Sequence, residues 1–119
     1  MKITERGWAG HYIMSRWCLF RRNTLIEHNG KRVVVSTVGN KLNPQTHELE
    51  EVGSGRYFET MASIAIKDGE YWEFDSSQLL PFDGQWRIAE KKAGSDNLAN
   101  EMHDNIVNEF CNMLLSNEL

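Results

Sequence analysis

Apolar and polar side chains alternate along CLFRRNTLIEHNGKRVVVSTVG, residues 18–39. Such alternation is the mark of strands with two unlike faces. It predicts a strand over residues 17–26, with Cys18, Phe20 and Arg22 on one face and Trp17, Leu19 and Arg21 on the other. Asn29-Gly30 then suits a type I′ turn, which needs positive φ twice, and the β-branched run 33–38 returns as the second arm of a hairpin. Upstream, WAGHYIM (8–14) reads as another strand. Residues 39–55 have no period and carry a proline and several acids, which predicts an exposed connection. Residues 56–66 and 71–74 are strand-like and flank an Asp68-Gly69 hairpin signal. Pro81 and Asp83-Gly84 interrupt the pattern before a short edge strand at 86–88.

From Ser95 the period changes. Leu98, Met102, Ile106, Phe110 and Met113 recur every three or four residues, widened by Val107 and Leu114. Asn97, Asn100, Glu101, Asp104 and Asn108 lie off this stripe, so the segment predicts an amphipathic helix packed on the sheet. Gly94-Ser95-Asp96 supplies its start signal, with Ser95 or Asp96 able to cap free amides. The expected fold class is therefore α+β: an antiparallel sheet of five or six strands with a C-terminal helix on it. It forms one domain over 1–119, with sheet to about residue 90 and helix over 95–118.

A chain of 119 residues buries about two thirds of its unfolded surface, which suffices for a core without metal or disulfide staples. At 40% hydrophobic and 25% charged it has the make-up of a globular protein, and no run approaches the roughly 18 apolar residues of a membrane span. No export signal is recognisable at the N-terminus, so a cytoplasmic location is expected. Cys18 and Cys111 lie far apart in different elements and read as buried thiols. The formal net charge of −4 and pI near 5.5 argue against a protein that wraps DNA, because such binding rests on many phosphate contacts. Two or three arginines still suffice for a small phosphate-bearing ligand.

Catalysis has no positive signal. His11, His28, His47 and His103 are scattered without metal-ligand spacing, and no metal or cofactor is called for. His103-Asp104 reads as a solvated helix face, since neighbours at i,i+1 point apart. The glycines of Gly53-Ser54-Gly55 precede a strand, where a phosphate loop would follow one. Binding has more candidates. Arg21 and Arg22 point to opposite faces, so one can join a pocket while the other meets solvent or an interface. Arg56 opens a strand at the sheet rim, as an anion ligand or as an edge charge against aggregation. Phe82 and Trp86 bracket an irregular loop and can either stack a purine or cover the core's edge. Asp96, Asn97 and Asn100 occupy the first turns of the helix, where free amides and the macrodipole favour a phosphate; Asn105 and Asn108 continue the polar face.

RGWAGHYI (6–13), CLFRRNTLIE (18–27), VVVSTVG (33–39), GRYFETMA (55–62) and DNLANEMHDNIVNE (96–109) resemble, in order and spacing, the phage protein family known as Thoeris anti-defence one. With the regions between them these blocks cover nearly the whole chain. The resemblance implies a non-enzymatic cytoplasmic phage protein that sequesters cyclic ADP-ribose isomers made by TIR-domain sensors, and in some members cyclic di- or trinucleotides at separate sites. It implies a homodimer or higher homo-oligomer, for which Trp17, Tyr57 and Trp72 are candidate interface residues and, equally, candidate core contacts on the second face of the sheet. A glycocyclic ADP-ribose calls for arginine on phosphates, an aromatic on adenine and amides on the sugars. The resemblance thus assigns Arg22 and Arg56 to phosphate, Phe82 or Trp86 to adenine, and Asn97, Asn100 and His103 to polar contacts near the helix start. Phe82 and Trp86 lie in LLPFDGQW, where the chain departs most from the family pattern. The competing expectations are an inhibitor that binds a host defence protein through its sheet edge or acidic surface, and a small phosphodiesterase.

Overall fold

A computed structural model describes residues 1–8, 10–91 and 95–119. The elements are β1 (Lys2–Arg6), β2 (Cys18–His28), β3 (Lys31–Leu42), β4 (Leu49–Glu50), β5 (Phe58–Asp68), β6 (Tyr71–Leu79), β7 (Arg87–Ile88) and α1 (Ser95–Leu115). The fold is α+β, an antiparallel sheet of seven strands with one C-terminal helix against β2 and β3. Five strands form the body in the order β1-β2-β3-β5-β6, while two-residue β4 pairs with β3 and two-residue β7 with β5.

The first hairpin turns at Asn29-Gly30, both at positive φ (50° and 78°), between the paired His28 and Lys31. The second differs from expectation. Asp68 pairs with Tyr71, so the loop is Gly69-Glu70, and only Gly69 (φ 61°) is left-handed, the type II′ arrangement with glycine first.

Other departures follow from pairing. Residues 2–6 form an unforeseen strand, because β2 offers them a full register from Lys2↔Glu27 to Arg6↔Asn23. The expected strand over 8–14 is absent among the described residues 10–14, which run through turns into a 3-10 helix at Ser15–Trp17. The supposed connection 39–55 is shorter than its composition suggested. β3 continues to Leu42, folds back on β4, and buries Val52 with Cys18 and Val38. Cys111 is half-buried.

The helix-side core joins Phe20 and Ile26 of β2, Val33 and Val35 of β3 and Phe58 and Ala62 of β5 to Ala99, Met102, Ile106, Phe110 and Leu114 of α1. The buried stripe is rotated from the one expected: Leu98 is 43% exposed, whereas Ala99 and His103 are fully buried. The helix begins at Ser95, which places Ser95 and Asp96 inside its first turn, and the preceding Gly94 lies outside the described residues.

The opposite face is closed by the sheet itself. In a flat sheet β1 and β6 would stand about 19 Å apart, beyond a side chain's reach. Yet Arg6 donates from Nη1 to the Trp72 carbonyl and from Nη2 to Asn23 Oδ1 at 2.8 Å. Trp8, just past β1, donates to Glu73 at 3.0 Å and meets Tyr71 edge-on. The sheet therefore curls until side chains bridge its outer strands. A bulge in β6 helps: the run from Phe74 to Leu79 spans only Ala65 to Ser63 of β5, and the Asp75 amide donates to Ser63 Oγ at the bend.

Candidate functional site

Alternation along β2 places Arg22 on the helix side and Arg21 on the other, as expected. Arg22 is already paired. It donates to Asp104 at 2.7 Å, to Glu5 at 2.6 Å and to Asn100 Oδ1 at 3.3 Å. Burial alone would lower its pKa, but the hydrogen bonds to Asp104 and Glu5 outweigh that and raise it. An anion reaching this guanidinium has to displace two carboxylates.

His103 lies in the core, contrary to the solvated face read from its neighbour Asp104. Its Nδ1 is 2.6 Å from Thr37 Oγ1 and its Nε2 is 2.7 Å from Thr24 Oγ1. Thr24 donates its own proton to Glu5 at 2.7 Å, which leaves its oxygen to accept from His103. The ring is therefore the neutral Nε2–H form, with Nδ1 accepting from Thr37. Burial, aided by the Arg22 charge and opposed by Glu5 and Asp104, pushes its pKa down to about 4. With no exposed surface, His103 meets no solvent-borne ligand directly.

A second cluster gathers at the β5/β7 end. Val52 donates to the Arg56 carbonyl at 3.0 Å, and Arg56 donates back to the Gly53 carbonyl at 3.1 Å. Gly55 takes φ 74°, so Gly53-Ser54-Gly55-Arg56 is a tight turn of type II character. These glycines seat the arginine. A Cβ on Gly53 would fall 2.4 Å from the Arg56 guanidinium carbon. Arg56 Nε donates to Glu59 Oε2 at 2.5 Å and Nη1 to the Ser54 carbonyl at 3.1 Å. Across the cluster stands Trp86, with the guanidinium carbons of Arg56 and Arg87 each 5.3 Å from its ring centroid, within cation–π range. Lys91 stands 5.9 Å from the Tyr57 ring beside them. In an acidic protein this rim is basic and aromatic.

Trp86 also borders an apolar hollow of about 440 Å³ lined by Met61, Leu79, Leu80, Pro81 and Phe82, within the range of small-molecule sites. Phe82 is half-buried and packs edge-on against Phe110 at 6.0 Å, so it closes the core and also lines this hollow. Of the expected site residues, Arg22, Asn100 and His103 thus belong to one polar network, while Arg56, Trp86 and Phe82 gather at the other cluster. Asn97 is exposed on the first turn of α1.

Behind Arg56 runs a buried chain that the sequence did not disclose. His11 Nε2 lies 3.0 Å from Glu59 Oε1, and His11 Nδ1 lies 2.8 Å from Ser36 Oγ. Burial tends to raise the Glu59 pKa, but His11 and Arg56 reverse this and lower it. Serine, histidine and carboxylate stand in the order of a hydrolytic triad. Access is missing, however: Ser36 is 1% exposed and lies beneath Gly10, whose added Cβ would come 1.7 Å from Ser36 Oγ. The arrangement fastens residues 10 and 11 to β3 and β5. Arg87, His11 and Glu59 went unread because their roles depend on strand pairing; Arg87's place beside Trp86 was the one local signal.

Among the described residues no group of His, Cys, Asp and Glu is arranged to hold a metal ion, and no helix is long and apolar enough to cross a membrane. What fold and site define is a small α+β protein with a basic, aromatic rim at one sheet end. No family model matches the chain, and no curated protein or solved structure matches it.

Proposed function

We propose that this protein binds and sequesters nucleotide immune signals of the cyclic ADP-ribose type without cleaving them, and so acts as a phage anti-defence protein in the infected cell. The family resemblance of the five sequence blocks motivates the reading. The observation that carries it is Trp86, 38% exposed, beside two guanidinium groups and next to an apolar hollow. An indole stacks adenine, worth about 1–3 kcal/mol per base, and guanidinium forks match phosphate oxygens. Arg56 and Arg87 are the phosphate ligands in this reading. Arg22 serves the fold, since both its Nη groups are taken by Asp104, Glu5 and Asn100, whereas Arg56 gives only Nε to a carboxylate, Glu59. Cyclic oligonucleotides share this chemistry and belong in the same test.

A second reading, direct inhibition of a host defence protein, draws on Ile13 and Leu19, which are 93% and 66% exposed on either side of the Ser15–Trp17 turn. One experiment separates them. Purified protein is mixed with a panel of cyclic ADP-ribose isomers and cyclic di- and trinucleotides, Tm is followed, and the mixtures are heat-denatured and chromatographed. A raised Tm with intact nucleotide released is the expected result. Hydrolysed nucleotide overturns sequestration in favour of a phosphodiesterase. No shift with any member of the panel favours the protein inhibitor.

A further inference from the structure

Arg56 is held from three sides. Gly53 leaves the space its guanidinium lies in, Glu59 takes Nε at 2.5 Å, and the Ser54 carbonyl takes Nη1 at 3.1 Å. Among the described residues Nη2 has no hydrogen-bond partner. Glu59 is itself held: its side chain is 7% exposed, and its other oxygen meets His11, whose side chain is 3% exposed and anchored on Ser36 at 2.8 Å. A long side chain on a sheet rim ordinarily samples many rotamers and loses that freedom on binding, at a cost of about 0.5–1.5 kcal/mol. Here the freedom is already lost, through contacts reaching back to the segment after β1.

Resting on the reading of Trp86 and Arg56 as the nucleotide site, we propose that His11, Glu59 and Gly53 are positioning residues for Arg56. His11 acts through Glu59, so the docking of residues 10 and 11 on the sheet sets the affinity for the phosphate that Arg56 receives. None of the three touches the nucleotide. They determine where the free Nη2 points and how much entropy its capture costs. The sequence block RGWAGH thereby contributes to binding from the far side of a carboxylate, and the turn glycine contributes by lacking a side chain.

The test measures calorimetric Kd for a glycocyclic ADP-ribose in wild type and variants. R56K keeps a charge and measurable binding but loses the fork that Glu59 holds; it weakens affinity about tenfold, as loss of one charge-assisted hydrogen bond does. G53A pushes the guanidinium of Arg56 aside without touching the backbone turn, and should weaken affinity several-fold, with a lowered Tm because Glu59 loses its Nε partner. H11A should weaken it several-fold in wild type and not at all in the R56K background, because a residue acting through Arg56 shows non-additivity. Equal losses from H11A in both backgrounds, or wild-type affinity in both H11A and G53A, overturn the positioning role while leaving the site itself standing. Wild-type affinity in R56K overturns the site reading and the inference together.

Discussion

Replacing His103 with glutamine removes a buried base and should flatten the acid side of the stability curve. In the unfolded chain the imidazole titrates near its ordinary 6.5, whereas burial in the folded protein lowers it to about 4. Between those values the unfolded state binds the proton and the native state does not, so stability rises with pH. The contribution is fully present above pH 6.5, is lost as pH falls, and levels off below 4. A shift of that size corresponds to about 2 kcal/mol lost between pH 7 and pH 5, and about 3 kcal/mol by pH 4. The groups facing the ring are Arg22, which disfavours its protonation, and Glu5 and Asp104, which favour it. Urea denaturation at pH 7 and pH 5 measures the loss directly. His103→Gln is expected to be less stable at pH 7 but to lose about 2 kcal/mol less than wild type on acidification. The other three histidines are common to both proteins and cancel in the difference. The depressed Glu59 contributes at lower pH, because its stabilisation is lost only as pH falls below its unfolded value near 4.5. An identical pH 7 to pH 5 loss in wild type and variant would refute a neutral, desolvated His103.

Arg6→Met should destabilise the protein by about 1–3 kcal/mol in urea titration, because Asn23 Oδ1 and the Trp72 carbonyl lose a buried donor and the curled sheet loses its clasp. Removing Arg22 by R22A should cost about 1 kcal/mol or less, as for partly exposed ion pairs, with nucleotide affinity unchanged; a tenfold loss in Kd at unchanged stability would return the phosphate to Arg22. Trp86→Ala should leave Tm nearly unaltered, the ring being at the rim, and weaken nucleotide binding by about 1–3 kcal/mol, read by calorimetry. Full retention of affinity would exclude adenine stacking on Trp86.

The elements with a local cause were legible in the chain. Asn29-Gly30 specifies a turn through its backbone preferences, the alternation around it sets two faces of a strand, and the 3.6-residue period after Ser95 makes a helix; each signal lies within a few residues of its effect. So Arg22 and Arg21 could be sent to opposite faces before any contact was known. Pairing partners had no such local cause. Whether residues 2–6 form a strand depends on the open edge of β2, and the hairpin loop fell on Gly69-Glu70 because Asp68 found Tyr71 across the ladder. The candidate site was legible only as a set of residue types. Arg22 and Arg56 look alike in sequence, but Glu5, Asn100 and Asp104 take both Nη groups of the first, while Glu59 takes only Nε of the second, beside Trp86 and Arg87. His103 and His11 carry no sequence mark of their burial, since threonines 79 and 66 residues away and a glutamate 48 residues away complete their hydrogen bonds. The sequence alone determined the Asn29-Gly30 hairpin, the C-terminal helix and which chemical groups are available. Only the tertiary structure decided which donors of each arginine are already taken and which face the aromatic rim, because that outcome depends on distances of a few ångströms between residues mostly far apart in the chain.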